Sequence, residues 1–219
     1  KLPYLNELDT KIIINIAGTA VEDYLDTLQI LEAAGGNHVG YEINISCPNV
    51  KEGGVTFGND PEMSARVVAA CRSVTKKPII TKLSPNQTNI AESAQRCIDA
   101  GSDAFSVINT LMGMAIDTRS RTPVIGNVQR GLSGPAIKPI ALLKTHQVYQ
   151  VCKAHNIPII GQGGITNAND AIEFIIAGAS AIGIGTGLFY DPLLSQKINQ
   201  GIADYLDDNN FNHLSELVG

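Results

Sequence analysis

Apolar residues in this chain gather in short continuous runs instead of alternating with polar ones. The runs predict strands at Ile12 to Ile16, Tyr41 to Ile45, Pro78 to Leu83, Ala104 to Ile108, Pro158 to Gly161 and Ala181 to Gly185. Unbroken Ile/Val-rich strands are the signature of a parallel sheet covered on its faces. Each gap between runs has room for a crossover helix. Val21, Tyr24, Leu25, Leu28 and Leu31 fall at helical spacing, opened by a capping box of Thr19 and Glu22 and closed at Gly35-Gly36. Asp60-Pro61 supplies an N-cap and a first-turn proline for another helix. Gly101 and Gly178 end two more. The stretches Leu31-Glu-Ala-Ala-Gly, Ile98-Asp-Ala-Gly and Ile176-Ala-Gly each lead into a strand, a weak helix–glycine–strand repeat. The pattern predicts an α/β fold with residues 1–219 as one unit. Six strands permit either an open doubly wound sheet or a (β/α)8 barrel lacking two strands.

Composition narrows the class. The chain of 219 residues is 44% hydrophobic and 17% charged, with a formal net charge of -5. No apolar run approaches the ~18 residues of a membrane helix, so no membrane partner is expected. No basic stripe offers a footing for nucleic acid. The four cysteines include no CxxC pair, which predicts a reducing, cytoplasmic setting. Cys71, Cys97 and Cys152 lie on helical stretches and read as buried core.

In parallel β/α folds ligands sit at the carboxyl ends of the strands. Those ends carry Asn44-Ile-Ser-Cys47-Pro-Asn49, then Lys82 with Ser84-Pro85-Asn86, then Asn109-Thr110. The last two carry the glycine turns Gly161-Gln-Gly163-Gly164 and Gly185-Thr186-Gly187. The result is a polar site with little charge. Two glycine turns followed by helices predict a phosphate cradle, with backbone N–H groups brought close to an anion and helix N-termini adding to the field. Lys82, inside an apolar strand, is expected beside an anionic ligand, because an unpaired buried ammonium is costly. Cys47 stands where substrate binds, and the glycine-rich segment after it reads as a lid. His38, His146, His155 and His213 lie away from this face, with no triad and no metal-ligand spacing, so no metal is expected. Any general base is therefore Cys47.

Asn44-Ile-Ser-Cys-Pro-Asn-Val, Thr81-Lys-Leu-Ser-Pro, Ile108-Asn-Thr-Leu-Met-Gly-Met and Gly131-Leu-Ser-Gly-Pro-Ala-Ile-Lys-Pro together resemble the class 1 dihydroorotate dehydrogenases. The match continues through Ile159-Ile-Gly-Gln-Gly-Gly-Ile to Gly178-Ala-Ser-Ala-Ile-Gly-Ile-Gly-Thr, and its wording is more like subclass 1B than 1A. The resemblance implies a (β/α)8 TIM barrel carrying FMN that oxidises dihydroorotate to orotate in pyrimidine biosynthesis. It implies Cys47 as the base for the C5 proton, with hydride passing from C6 to flavin N5. Lys82 would stand beside the flavin ring and favour its reduced form. Asn44, Asn49, Asn109 and Thr110 would hold substrate. Asn44, Lys82, Ile108, Gly134, Gly163, Gly164, Gly185 and Thr186 would contact FMN, the last four around the phosphate. A 1B enzyme would have an FAD and iron–sulfur partner subunit, within a homodimer or heterotetramer.

The family's chains are about a third longer, and their first two barrel strands have no counterpart here. The expectation is a barrel without its N-terminal part, about six strands of eight, whose sheet does not close. The competing readings are a dihydropyrimidine dehydrogenase-like barrel and a non-catalytic flavin- or phosphate-binding fragment. Asn49 and the Leu-Ser-Gly-Pro run favour dihydroorotate dehydrogenase over the first of these; intact Cys47 and Lys82 argue against a non-catalytic barrel, while the missing strands argue for an incomplete module.

Overall fold

The computed structural model describes residues 1–46 and 57–219. A short helix α1 (Leu2–Leu5) precedes β1 (Ile13–Ile16), α2 (Val21–Ala34), β2 (Gly40–Asn44) and α3 (Pro61–Val74). Then come β3 (Ile79–Leu83), α4 (Ile90–Asp99), β4 (Ala104–Val107) and four short strands, β5 (Leu111–Gly113), β6 (Ile116–Asp117), β7 (Thr122–Pro123) and β8 (Arg130–Leu132). The chain ends through α5 (Lys138–Cys152), β9 (Ile159–Gln162), α6 (Ala168–Ile176), β10 (Ala181–Gly183), α7 (Gly187–Tyr190) and α8 (Leu194–Asp208).

Every strand expected from the apolar runs is present, its ends within two residues of the expected bounds. They form one parallel sheet in the order β1-β2-β3-β4-β9-β10. The strand order never reverses, and each major helix packs on the next: α2 on α3, α3 on α4, α4 on α5, α5 on α6, α6 on α8. A doubly wound sheet would send helices to both faces from a switch point. Here they line one face of a curled sheet, which is the (β/α)8 barrel arrangement with six of its strands. Among the described residues β1 and β10 are the sheet's two edges, each paired on one side only.

Period-two geometry sorts the side chains. On the strands Tyr41, Ile43, Ile79, Leu83 and Phe105 face the helices and are fully buried; with Tyr24, Leu28, Val68 and Phe174 from the helices they form the core. The other face is a different environment: Asn15, Glu42, Asn44, Lys82 and Ser106 point to the barrel interior, where the register sets Asn15 beside Glu42 and Asn44 beside Lys82. Continuous apolar sequence thus hides a polar inner face. Cys71, Cys97 and Cys152 are free and fully buried, and burial pushes each thiol up to about 12.

Helix punctuation follows local chemistry. Asp60 accepts from the Glu62 and Met63 amides at 2.9 and 3.3 Å, as expected of an N-cap. At α2 the acid that closes the box is Asp23 and not Glu22: its Oδ2 accepts from Thr19 N and Oγ1, both at 2.6 Å, and from Ala20 N at 3.0 Å. The helix begins one residue later than Thr19 would start it, which moves the third position along by one. Gly178 lies at φ +113°, and its amide and that of Ala179 bond back to Ile175 O and Phe174 O, both at 2.9 Å. Gly101 and Ser102 repeat the same closure on Ile98 O and Cys97 O, so the helix–glycine–strand repeat is a repeated C-cap.

The four short strands are not legible in the sequence. β5 pairs antiparallel with β8, and β6 with β7. Strands of two or three residues have no periodicity to read, and Leu111 meets Leu132 across a long excursion instead of a tight turn.

Candidate active site

A cleft of about 480 Å³ opens at the carboxyl ends of β3, β4, β9 and β10, within the range of small-molecule sites. Lys82, on β3, lines it. Ile108, Asn109 and Thr110 follow β4; Ser133, Gly134, Pro135 and Ile137 follow β8; Gln162 to Thr166 follow β9; Gly183, Gly185, Thr186 and Gly187 follow β10.

Lys82 is the one basic residue among the described lining residues. Its Nζ is 3.5 Å from Glu42 Oε1, and both side chains are mostly buried. Glu42 also accepts from Asn15 Nδ2 on Oε1 and from Ser106 Oγ on Oε2, each at 2.5 Å. A cation inside an apolar strand is tolerable because an equally buried carboxylate faces it with its own donors in place.

A second cluster joins the ends of β2 and β4. Asn109 Nδ2 donates to Asn44 Oδ1 at 3.2 Å and also to Ser46 Oγ, while Ser46 Oγ donates to Asn44 Oδ1 at 2.8 Å. Asn109 Oδ1 accepts from Thr110 N at 2.8 Å. The loop backbone is pinned in turn: Asn109 N reaches Leu83 O at 2.9 Å and Ile108 N reaches Gln162 O at 3.0 Å. Asn86 brackets the loop, donating to Thr110 O at 3.1 Å and accepting from Met112 N at 2.8 Å. Amides held this way present donors and acceptors in fixed directions without adding charge.

The two glycine turns close the other end. Gly164, at φ +81°, packs so tightly that a Cβ would sit 2.7 Å from Gly134 O. At Gly134 and Gly185 a Cβ would meet nothing within 4 Å, so both backbones face open space in the cleft. Thr186 Oγ1 donates to Ser133 Oγ at 2.9 Å, tying the loop after β10 to the loop after β8. The first turn of α6 is served by its own residues: Asn167 Oδ1 accepts from Asp170 N, and Asp170 Oδ2 accepts from Thr166 N and Oγ1. Burial opposes ionisation of Asp170, but the Lys138 ammonium at 2.6 Å and the Thr166 donors hold its carboxyl below the ordinary range. An anion in this cleft would therefore meet the glycine turns and not that helix end. At the mouth, Lys197 holds the Asp191 carboxyl below the usual range through a 2.6 Å contact.

Of the residues singled out in the sequence, Lys82, Ile108, Asn109, Thr110, Gly134, Gly163, Gly164, Gly185 and Thr186 line this one cleft. Asn44 is not among those lining residues, but its Oδ1 holds the Asn109 amide at 3.2 Å. Cys47 and Asn49, with the glycine-rich segment expected to act as a lid, lie outside the described residues. Sequence reasoning overlooked Glu42, Asn15 and Ser106. Glu42 offered the same signal as Lys82, a charge inside an apolar strand, one strand over.

Among the described residues no helix is long and apolar enough to cross a membrane. A curled parallel β/α sheet with a polar cleft at its carboxyl end defines a TIM-barrel enzyme, and comparison gives the family. Residues 1–206 match the family model described as Dihydroorotate dehydrogenase, and the chain belongs to that family. It is 52% identical, over 219 residues, to the Pelobacter propionicus protein named dihydroorotate dehydrogenase B (NAD(+)), catalytic subunit, covering all of this chain and 71% of that protein. A Geotalea daltonii protein of the same name is 49% identical, with 70% of its length covered. Among solved structures, the Eimeria tenella dihydroorotate dehydrogenase in complex with ferulenol superposes with a TM-score of 0.78 at 20% identity. That match covers 99% of this chain and 64% of the solved one.

Proposed function

We propose that this chain is an FMN-binding barrel unit, residues 1–219, of an enzyme that oxidises dihydroorotate to orotate in pyrimidine biosynthesis. The observation that carries this reading is one cleft with a buried lysine in its lining, a pinned amide cluster along one wall and two glycine turns at its far end. The fit to FMN rests on that arrangement. The open space over Gly134 and Gly185 leaves room for a phosphate against backbone, and Lys82 is the cation that would face the flavin ring. Ile108, Gly163, Gly164 and Thr186 complete the lining. When bound, the flavin accepts the hydride that leaves C6 of dihydroorotate.

The chain's own residues supply the rest. Asn109 and Thr110, oriented by Asn44, hold the substrate ring together with Asn49. Cys47 removes the C5 proton, so that one proton and one hydride leave the substrate and a carbon–carbon double bond forms. A thiol must be deprotonated to act as this base, and exclusion of bulk water lets the local surroundings set how readily that happens. The naming of the relatives as catalytic subunits of a NAD(+)-linked enzyme supports a separate partner subunit; in this reading that partner carries FAD and an iron–sulfur cluster and the assembly is a heterotetramer built on a homodimer. Free, buried Cys71, Cys97 and Cys152 accord with a cytoplasmic setting.

The test is Cys47→Ser in the flavin-loaded enzyme. Loss of the base slows flavin reduction by dihydroorotate about 100-fold or more, while orotate binding stays within about threefold of the parent. Equal reduction rates in variant and parent remove Cys47 from the reaction.

A further inference from the structure

We infer that Glu42 is a positioning residue that clamps Lys82 against the flavin and offsets part of its charge; this rests on the flavin reading above. Glu42 lies at the centre of β2, between the fully buried Tyr41 and Ile43, yet it turns to the inner face of the barrel. Its Oε1 faces the Lys82 ammonium at 3.5 Å. The carboxylate is itself held from two further strands, by Asn15 on β1 and Ser106 on β4. Four adjacent strands therefore meet at one carboxylate. A lysine side chain has four rotatable bonds and no intrinsic preference for one position, so a fixed ammonium needs a fixed acceptor. Here the acceptor is fixed before any ligand arrives, which is what a preorganised cationic contact requires.

Two consequences distinguish a clamp from a mere filler of the barrel. The effect of Glu42 on the cofactor runs through Lys82, so substitutions at the two positions are not additive. The carboxylate also neutralises charge that Lys82 would otherwise present to the ring. A neutral acceptor of the same shape keeps the ammonium in place and favours the reduced flavin more strongly.

The experiment measures FMN dissociation constants and flavin midpoint potentials for the flavin-loaded enzyme and for Glu42→Ala, Glu42→Gln, Lys82→Met and Glu42→Ala with Lys82→Met. Glu42→Ala is expected to weaken FMN binding about tenfold. Glu42→Gln is expected to stay within about threefold and to shift the potential upward. With Lys82→Met already present, Glu42→Ala weakens binding no further. If Glu42→Ala fails to fold, the upward potential in Glu42→Gln still carries the inference, and an unchanged or lowered one overturns it. Equal, additive losses in both backgrounds overturn it as well. A parent enzyme that takes up no FMN overturns the flavin reading itself, a result distinct from flavin uptake that is indifferent to Glu42.

Discussion

Asn109, just past β4, donates through Nδ2 to Asn44 Oδ1 at the end of β2, 3.2 Å away and 65 residues earlier in the chain. The acceptor is shared: Ser46 donates to the same oxygen from its hydroxyl at 2.8 Å and from its amide at 3.3 Å. Asn44 therefore converts the register of three strands into the orientation of one amide in the cleft. Removing it frees Asn109 to rotate. Asn44→Ala is expected to raise the dissociation constant for orotate about tenfold, the equivalent of one hydrogen bond. Titration of the flavin spectrum with orotate checks this.

Gly164 tests the anion cradle. Its φ of +81° and the 2.7 Å approach of Gly134 O to any Cβ leave no relaxed alanine conformation. Gly164→Ala is expected to cost about 1–3 kcal/mol of stability and to weaken FMN more than it weakens riboflavin, which lacks the phosphate. Parallel thermal melts and flavin titrations separate the two effects, and equal losses for both flavins would place the phosphate elsewhere.

A pH dependence follows from the far end of the barrel. His38 is 3% exposed, with Nε2 2.7 Å from the Tyr41 hydroxyl and 3.1 Å from Lys77 Nζ. Burial, and then the Lys77 charge, holds its pKa below the ordinary histidine value, against a smaller opposing pull from Glu32. The unfolded chain therefore takes up this proton first. The stabilisation is complete above the unfolded pKa of about 6.5 and is lost as pH falls from there toward the folded value. Melting temperatures measured from about pH 8 down to about pH 5.5 should fall more steeply for the parent than for His38→Gln.

The 219-residue polypeptide by itself should associate. Its sheet edges, β1 and β10, are each paired on one side, and Ile13 on β1 is 44% exposed. Unpaired parallel edges recruit other strands. Light scattering should show concentration-dependent oligomers; a monodisperse monomer with cooperative unfolding would contradict this.

The strands were legible because their helix-facing positions, such as Tyr41, Ile43, Ile79, Leu83, Phe105 and Val107, are apolar and buried, which leaves short apolar runs with clear ends. The runs alone left the barrel undecided, because they suit an open sheet as well; the family motifs pointed to it, and the monotonic strand order and the packing of each helix on the next bear it out. In the site, Lys82 and the glycine turns announced themselves through what they cost or permit at a strand end. Glu42 gave the same signal as Lys82, a charge inside an apolar strand, but its partners Lys82, Asn15 and Ser106 come from three other strands and could not be read from the sequence. Asn44 was legible as a candidate from its place at a strand end, but its bond to Asn109 was not, because that partner lies 65 residues further on. The β5–β8 pairing is non-local and too short to leave a pattern.

In the function proposed above, this cleft oxidises dihydroorotate with a bound flavin. Anaerobic addition of dihydroorotate to the flavin-loaded enzyme, followed in the visible flavin band, tests it most directly. The band is expected to bleach with one orotate formed per flavin reduced. A flavin that stays oxidised with dihydroorotate, yet bleaches with dithionite, would contradict it.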